Sequence, residues 1–266
     1  MKLKNKAELI GKWALITGAS SGFGVDYAHI LAKLGMNLII TARRTEKLGQ
    51  LKSEIIKKYP VQVIVESLDL ALPDAPLKLS RSLKEREIDT EVLINNAGYG
   101  IYGEFIHAKW QETQKMLQVD IMALTQLTKI FSDEMVERGS GHILLVASIA
   151  SYQPTPTYAT YGAAKSYVLN FGEALNFELK NKGVNVSVLS PGITATEFLK
   201  VSGQKATIYQ RLMMMQSYPV ALIGVNSMFK GVPSVVPGLL NKLTICFSKL
   251  IPRKIQTHLV YITMKQ

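Results

Sequence analysis

Short apolar runs rich in Val, Ile and Leu alternate strictly with longer stretches of helical period, and that alternation constrains the fold more than any other feature of the sequence. The runs are Trp13 to Thr17, Leu38 to Thr41, Val61 to Val65, Val92 to Ile94, Ile143 to Val146 and Val184 to Leu189, with a weaker one at Val232 to Val236. Apolar on both faces, they suit strands buried between two layers of helices. Between them, Phe23 to Leu34, Glu46 to Tyr59, Leu77 to Glu87, Trp110 to Arg138 and Tyr158 to Lys180 have helical spacing. Strand and helix in turn imply right-handed crossovers and a mostly parallel, doubly wound sheet, an α/β fold of Rossmann type. No repeat or low-complexity tract interrupts it. This reading places one domain over residues 1–238, including a substrate lid at about 193–217, and a basic amphipathic helical tail over residues 239–266.

A chain of 266 residues with 47% apolar content buries enough surface to stand without disulfides or a structural metal. Its one cysteine, Cys246, excludes an internal disulfide and a cysteine-built zinc or iron–sulfur site. The histidines, His29, His107, His142 and His258, are scattered at no ligand spacing, so no metal is expected. The first ten residues hold no apolar run of signal-peptide length, and no stretch of 18 apolar residues suggests a spanning helix. A cytoplasmic location is the expectation. Charge is uneven: residues 1–197 carry 22 Lys and Arg against all 20 Asp and Glu, whereas Phe198 to Gln266 carries nine basic residues and no acid. A field of one sign attracts anions. No aromatic-interleaved basic stripe or reader motif accompanies it, so nucleic acid is not an expected partner.

Sheets of this kind bind ligands at the carboxyl ends of their strands. There the first run is followed by Thr17-Gly18-Ala19-Ser20-Ser21-Gly22-Phe23-Gly24, leading directly into a helix. Such a loop turns sharply and lets the backbone approach a pyrophosphate held on unpaired N–H groups at the helix start. At the end of the second run stands Thr41-Ala42-Arg43-Arg44, with no carboxylate before Glu46. An acid there would accept the ribose 2′-hydroxyl of NAD, whereas a guanidinium grips a 2′-phosphate. NADP(H) is therefore expected, with Arg43 the leading contact and Arg44 the second.

Tyr161 and Lys165 are four residues apart, on one face of a helix. A phenol near pKa 10 is a poor acid or base at neutral pH, and a neighbouring cation stabilises its phenolate. Ser148, at the end of the fifth run, can hydrogen-bond a carbonyl or alcohol oxygen and hold it against Tyr161. Tyr158 has Gly162 at the same spacing and lacks the cation.

The glycine loop, Asp69-Leu70, Asn95-Asn96-Ala97-Gly98, Ser148, Tyr161-Gly162-Ala163-Ala164-Lys165 and Pro191-Gly192 with Thr194 occur in an order that resembles the compact short-chain dehydrogenase/reductases over residues 11 to about 200. Phe171, Glu173-Ala174-Leu175 and the stretch from Pro191 to Phe198 look most like an NADP-preferring bacterial branch whose substrates are mostly unassigned. The resemblance implies hydride transfer between nicotinamide and a carbonyl or alcohol, with Tyr161 as general acid/base. It has Lys165 also binding the nicotinamide ribose, Asp69 contacting the adenine and Asn96, Ala97 and Gly98 passing beside the adenosine ribose. Leu70 and the residues from Pro191 through Ile193 to Thr194 join the cofactor set, and a homo-oligomer, dimer or tetramer, is implied. Where the family usually has an Asn supporting a proton relay to the lysine, this chain has Asp120. That carboxylate either keeps the relay, or raises the tyrosine pKa, or is purely structural.

After Pro191 the chain becomes Met-rich, with Met213-Met214-Met215, and the walls expected around the substrate (Tyr99, Ile101, Tyr102, Ile149, Tyr152, Pro154, Tyr158) are apolar or aromatic. A hydrophobic substrate follows: a lipid-like ketone, an acyl derivative, a steroid-like compound or a 3-oxoacyl thioester. The alternative function is a catalytically weak dinucleotide-binding sensor or scaffold. In the tail, Val236, Leu239, Leu240, Leu243, Phe247 and Leu250 follow helical spacing up to Pro252. An apolar stripe with basic flanks fits peripheral contact with an anionic membrane and equally fits packing on a partner subunit.

Overall fold

Successive strand residues point to opposite faces of a sheet, and here both faces are apolar because both are covered. The computed structural model describes residues 6–265. Seven strands, β1 (Trp13–Thr17), β2 (Asn37–Ala42), β3 (Val63–Ser67), β4 (Thr90–Asn95), β5 (Gly141–Val146), β6 (Val184–Leu189) and β7 (Ser234–Val235), form one parallel sheet in the order β3-β2-β1-β4-β5-β6-β7. The helices are α1 (Lys6–Leu9), α2 (Phe23–Lys33), α3 (Thr45–Lys58), α4 (Ala75–Lys84), α5 (Trp110–Leu117), α6 (Leu124–Arg138), α7 (Ala159–Leu179), α8 (Phe198–Ser202), α9 (Ile208–Met213), α10 (Ser217–Phe229), α11 (Leu239–Ser248) and α12 (Arg253–Met264). This is the doubly wound, Rossmann-like α/β architecture expected of the alternation, as a single domain. Ala14, Ile16, Leu38 and Ile40 face the layer of α2, α3 and α10, while Leu15, Ile39 and Leu93 face that of α4, α6 and α7.

Three departures from the expected elements have local causes. α10 supplies the β6–β7 crossover, yet it is apolar nearly all round, and a helix without a polar face leaves no stripe to read. The helical segment over 110–138 widens into a π-helical turn at Gln118–Ala123, where Asp120 is wholly buried; such turns concentrate at functional sites. The lid is not loose. Residues 198–202 and 208–213 are helical, and its two ends are joined by Ala195 N–H to Met215 O and Met215 N–H to Ile193 O, both 2.9 Å. Among the described residues no helix is long and apolar enough to cross a membrane, and no group of three His, Cys, Asp or Glu could hold a metal.

α7 carries Tyr161 and Lys165, so its seat on β5 and β6 sets their position. At Gly172 a Cβ would fall 2.3 Å from Val188 Cγ2 and 3.0 Å from Leu145 Cδ1, both in strands beneath the helix. Gly172→Ala is expected to lower stability by about 1–3 kcal/mol despite its better helix propensity, seen as a lower urea midpoint at unchanged slope. An unchanged midpoint would mean that α7 moves off the sheet without cost.

Candidate active site

Thr17, at the end of β1, ties the two central strands together above the sheet. Its hydroxyl accepts the backbone N–H groups of Asn96 and Ala97, each at 2.9 Å, and the Asn96 amide donates to Thr17 O at 2.8 Å. The chain then turns through Gly18 at φ +68°, where a Cβ would lie 2.9 Å from Ala97 Cα. Only glycine combines that backbone with that approach.

Above these strand ends opens a cavity of about 610 Å³. Its walls include Gly18, residues 20–23, Arg43, Arg44, Asp69, Leu70, residues 96–98, Ser148, Tyr161, Lys165 and residues 191–194. Nearly every residue expected of the site thus borders one space. Two do not line it: Gly24 lies in the first turn of α2, and Asp120 lies buried behind the wall. Asp69 turns its carboxylate to the Ala71 N–H at 3.0 Å.

Lys165 is 4% exposed. Its ammonium donates to Val146 O at 3.1 Å and pairs with Asp120 Oδ2 at 3.0 Å, while Asp120 Oδ1 accepts the Tyr99 N–H at 3.0 Å. A Cβ on Gly98 would lie 2.9 Å from the Lys165 ammonium and 3.0 Å from Asp120 Oδ2. The Asn95-Asn96-Ala97-Gly98 motif therefore ends in glycine because a buried ion pair fills that space. Burial pushes the Asp120 carboxyl up and the Lys165 ammonium pulls it back.

The Tyr161 ring lies 5.7 Å from the Lys165 ammonium. The phenol is held above its ordinary value, first by burial and then by the Asp120 charge, with a hydrogen bond from Ser148 acting the other way. The expected lowering of the phenol by the neighbouring cation is outweighed by burial and Asp120, because the Lys165 charge is committed to Asp120 and Val146 O. Asp120 raises the phenol as one of the anticipated alternatives had it. Ser148 stands just beyond β5, its Oγ also accepting the Ala150 N–H at 3.1 Å. Tyr158 has a structural occupation, its hydroxyl meeting Ser202 Oγ at 2.7 Å and Gln204 Oε1 at 3.0 Å.

The two arginines differ. Arg44 donates to Ser20 Oγ at 3.1 Å, Ser21 Oγ at 2.7 Å and Glu197 Oε2 at 2.8 Å, and Lys47 reaches the same carboxylate at 3.2 Å. These donors hold Glu197 down to about 2, so the link between glycine loop and lid stays charged well below neutrality. Arg43 lines the cavity and makes no hydrogen bond or ion pair among the described residues. With the α2 N-terminus opening onto the cavity at Gly22 and Phe23, these donors fit a phosphate-bearing dinucleotide.

The far wall departs from expectation. Met213, Met214 and Met215 do not border the cavity, since the last is bound into the lid base. Ile101 and Tyr102 line a separate hollow of about 240 Å³, and Tyr152 and Pro154 line neither, whereas Tyr99, Ile149 and Tyr158 line the cavity. Phe198, Leu199, Val201, Gln204, Gln210 and Met264 close the end. The last comes from α12, held by Gln204 Nε2 and the Tyr102 hydroxyl on its carbonyl at 3.0 and 3.2 Å. Sequence reasoning missed Glu197, Gln204, Gln210 and Met264.

A family model described as short chain dehydrogenase matches residues 12–207. The very-long-chain 3-oxoacyl-CoA reductase of Mus musculus is 32% identical over 203 residues, which are 75% of this chain and 64% of that protein. Its namesake from Pyrenophora tritici-repentis is 35% identical over 74% of this chain and 59% of its own length. The chain thus matches about three-fifths of the length of these curated relatives. A solved short-chain dehydrogenase from Sphingobium yanoikuyae in complex with NADPH superposes with a TM-score of 0.80 at 27% identity, over 90% of this chain and 94% of that one. A 7beta-hydroxysteroid dehydrogenase shares the fold at a TM-score of 0.87 over 98% of this chain and 99% of that one, at 24% identity.

Removing one partner of a buried ion pair leaves an uncompensated charge. Asp120→Asn is expected to cost about 3–5 kcal/mol of unfolding free energy, and the Asp120→Asn/Lys165→Met double variant less than the sum of the two single changes. Additive losses in urea titrations would show that the two groups are not coupled.

Proposed function

The chain belongs to the short-chain dehydrogenase family, and on that premise we propose that it is an NADP(H)-dependent carbonyl reductase acting on an apolar substrate, 3-oxoacyl thioesters foremost. The observation that carries this reading is the cavity bordered at one end by Arg43 and the glycine loop and at the other by Ser148, Tyr161 and an apolar wall. The bound dinucleotide supplies a hydride. Arg43, which makes no hydrogen bond or ion pair among the described residues, would take the 2′-phosphate, and the backbone at Gly22 and Phe23 would take the pyrophosphate. Asn96, Ala97 and Gly98 would hold the adenosine ribose, Lys165 would hold the nicotinamide ribose, and residues 191–194, which line the same cavity, would complete the cofactor's site.

Ser148 holds the substrate oxygen, and Tyr161 donates its proton to that oxygen as the carbonyl becomes an alcohol. Burial and the Asp120 charge hold the phenol above its ordinary value, so it is protonated at physiological pH but a weak acid, and it gives up its proton only as hydride transfer builds negative charge on the substrate oxygen. Asp120 acts through Lys165 and the local field, as a positioning residue. Phe198, Leu199 and Val201 on the lid, with Met264, accommodate an acyl chain, and the relatives named as 3-oxoacyl-CoA reductases support that class. The protein is proposed to work as a homo-oligomer, and in a cytoplasmic compartment.

The test is NADPH consumption with 3-oxoacyl-CoA substrates of increasing chain length. KM is expected to fall as the chain lengthens, and Tyr161→Phe to lower kcat by about 10²–10⁴-fold without changing cofactor affinity. NADPH binding with no turnover across the series would assign the sensor reading instead. Arg43→Ala is expected to weaken NADPH binding by about tenfold or more and to leave NADH binding unchanged. Equal losses for both would overturn the cofactor preference. Removal of the Asp120 charge lowers the phenol pKa, so Asp120→Asn is expected to move the alkaline fall of the reductive rate to lower pH. A fall at the same pH in both proteins would remove Asp120 from the reaction.

A further inference from the structure

From Phe198 onward the chain has nine Lys and Arg and no Asp or Glu, and the helices of this stretch turn their apolar residues outward. On α11 the buried residues are Asn241, Ile245 and Ser248. The opposite side presents Leu240, Leu243, Phe247 and Leu250, the last two 63% and 76% exposed. α12 repeats the pattern, with Gln256 and Val260 inside and Ile255, Leu259 and Ile262 exposed. α9 adds Ile208 and Leu212, 80% and 81% exposed. A helix on the surface of a globular protein ordinarily does the reverse. At 3.6 residues per turn, Lys242 and Lys249 lie together along one edge of α11, about 100° round the helix from Leu243 and Leu250, and Lys254 and Lys265 lie together along one edge of α12.

α9 and α12 are joined to each other and to the cavity. Thr207 Oγ1 donates to Thr263 O at 3.4 Å and Gln210 Nε2 to Met264 Sδ at 3.4 Å, so α9 is bound to the end of α12. Asn241 of α11 donates to Sδ of Met215, at the base of the lid, at 3.5 Å. Gln210 of α9 and Met264 of α12 line the cavity.

We propose that the outer face of α9, α11 and α12 docks on a bilayer carrying anionic headgroups. Its Leu, Ile and Phe side chains enter the boundary between headgroups and acyl chains, and the flanking cations meet the phosphates. Charge decides against a second copy of this chain as the occupant, because α9, α11 and α12 carry Arg211, Lys242, Arg253 and Lys254 and no carboxylate, so two such faces would repel. A polyanion would engage the cations and leave the apolar stripes in water; a lipid surface satisfies both. Docking would also bring the cavity's end wall beside the acyl region. The inference concerns an outer face and stands apart from the reaction assigned to the cavity.

The full chain should co-sediment with phosphatidylcholine vesicles containing phosphatidylserine and not with phosphatidylcholine alone, and high salt should weaken the binding. Leu240→Glu/Phe247→Glu, changes at exposed positions that leave the core intact, should reduce binding by about tenfold or more, and Lys242→Gln/Lys249→Gln by several-fold. Cys246, the one cysteine, is exposed on α11 beside the stripe, and an environment-sensitive fluorophore attached there should shift to the blue on addition of the anionic vesicles. No sedimentation with anionic vesicles at low salt overturns the proposal. So does equal binding by Leu240→Glu/Phe247→Glu with its circular dichroism unchanged, or a fall in that variant's solution mass from dimer to monomer without loss of vesicle binding.

Discussion

A lysine ammonium and an aspartate carboxylate, both withdrawn from water, lie 3.0 Å apart beneath the cavity floor. Taking two charges out of solvent costs several kcal/mol each after relaxation, and their attraction offsets this only where geometry and further hydrogen bonds are good. Much of the surrounding structure provides that. Val146 O and the Tyr99 N–H bind the outer sides of the pair. The π-helical turn carries Asp120 inward, and Gly98 leaves the volume that any side chain would take. Gly172 lets α7 sit close enough to the sheet for Lys165 to arrive. Burial first, and then the Asp120 charge of this pair, favours the neutral form of Tyr161.

The second organising contact spans the cleft. Arg44 joins Ser20 and Ser21 of the glycine loop to Glu197 of the lid, with Lys47 on the same carboxylate. The groups are part-exposed, so solvent screens them and each contributes little to global stability. Their effect is local: they hold the lid over the strand ends, and they leave Arg43 as the guanidinium available to a ligand. The division of labour between two adjacent arginines follows from which of them has a carboxylate in reach.

The sheet was legible because its central strands are short and apolar on both faces, as strands covered by helices are; β1 and β6 begin and end where the apolar runs do, whereas β3, ending in Glu66 and Ser67, is displaced from its run. The site was legible where its residues sit at strand ends or share a helix face, as Ser148, Tyr161 and Lys165 do. What could not be read depends on distance in space. Glu197 finds Arg44 across 153 residues, and Met264 reaches the cavity from a helix that looks like an appendage. α10 was invisible because apolar residues nearly all round it, exposed Tyr218 and Leu222 included, leave no amphipathic signal, and the methionines of the lid misled because adaptable apolar side chains serve equally in a lid base. The effect of Lys165 on Tyr161 needed Asp120 in place, since a cation already paired stabilises a phenolate less than a lone one. The tail's apolar stripe was visible, but which side of α11 faces out was a matter for the structure.

The central claim, that the buried pair leaves Tyr161 a neutral proton donor, is tested most directly by following that phenol itself. Carbon-13 labelling at tyrosine Cζ, with Tyr161→Phe to identify the resonance, would record its titration in the ligand-free protein. The Tyr161 signal should stay in its neutral position beyond the pH at which an unperturbed phenol ionises. A Tyr161 resonance that ionises at or below that pH would contradict it.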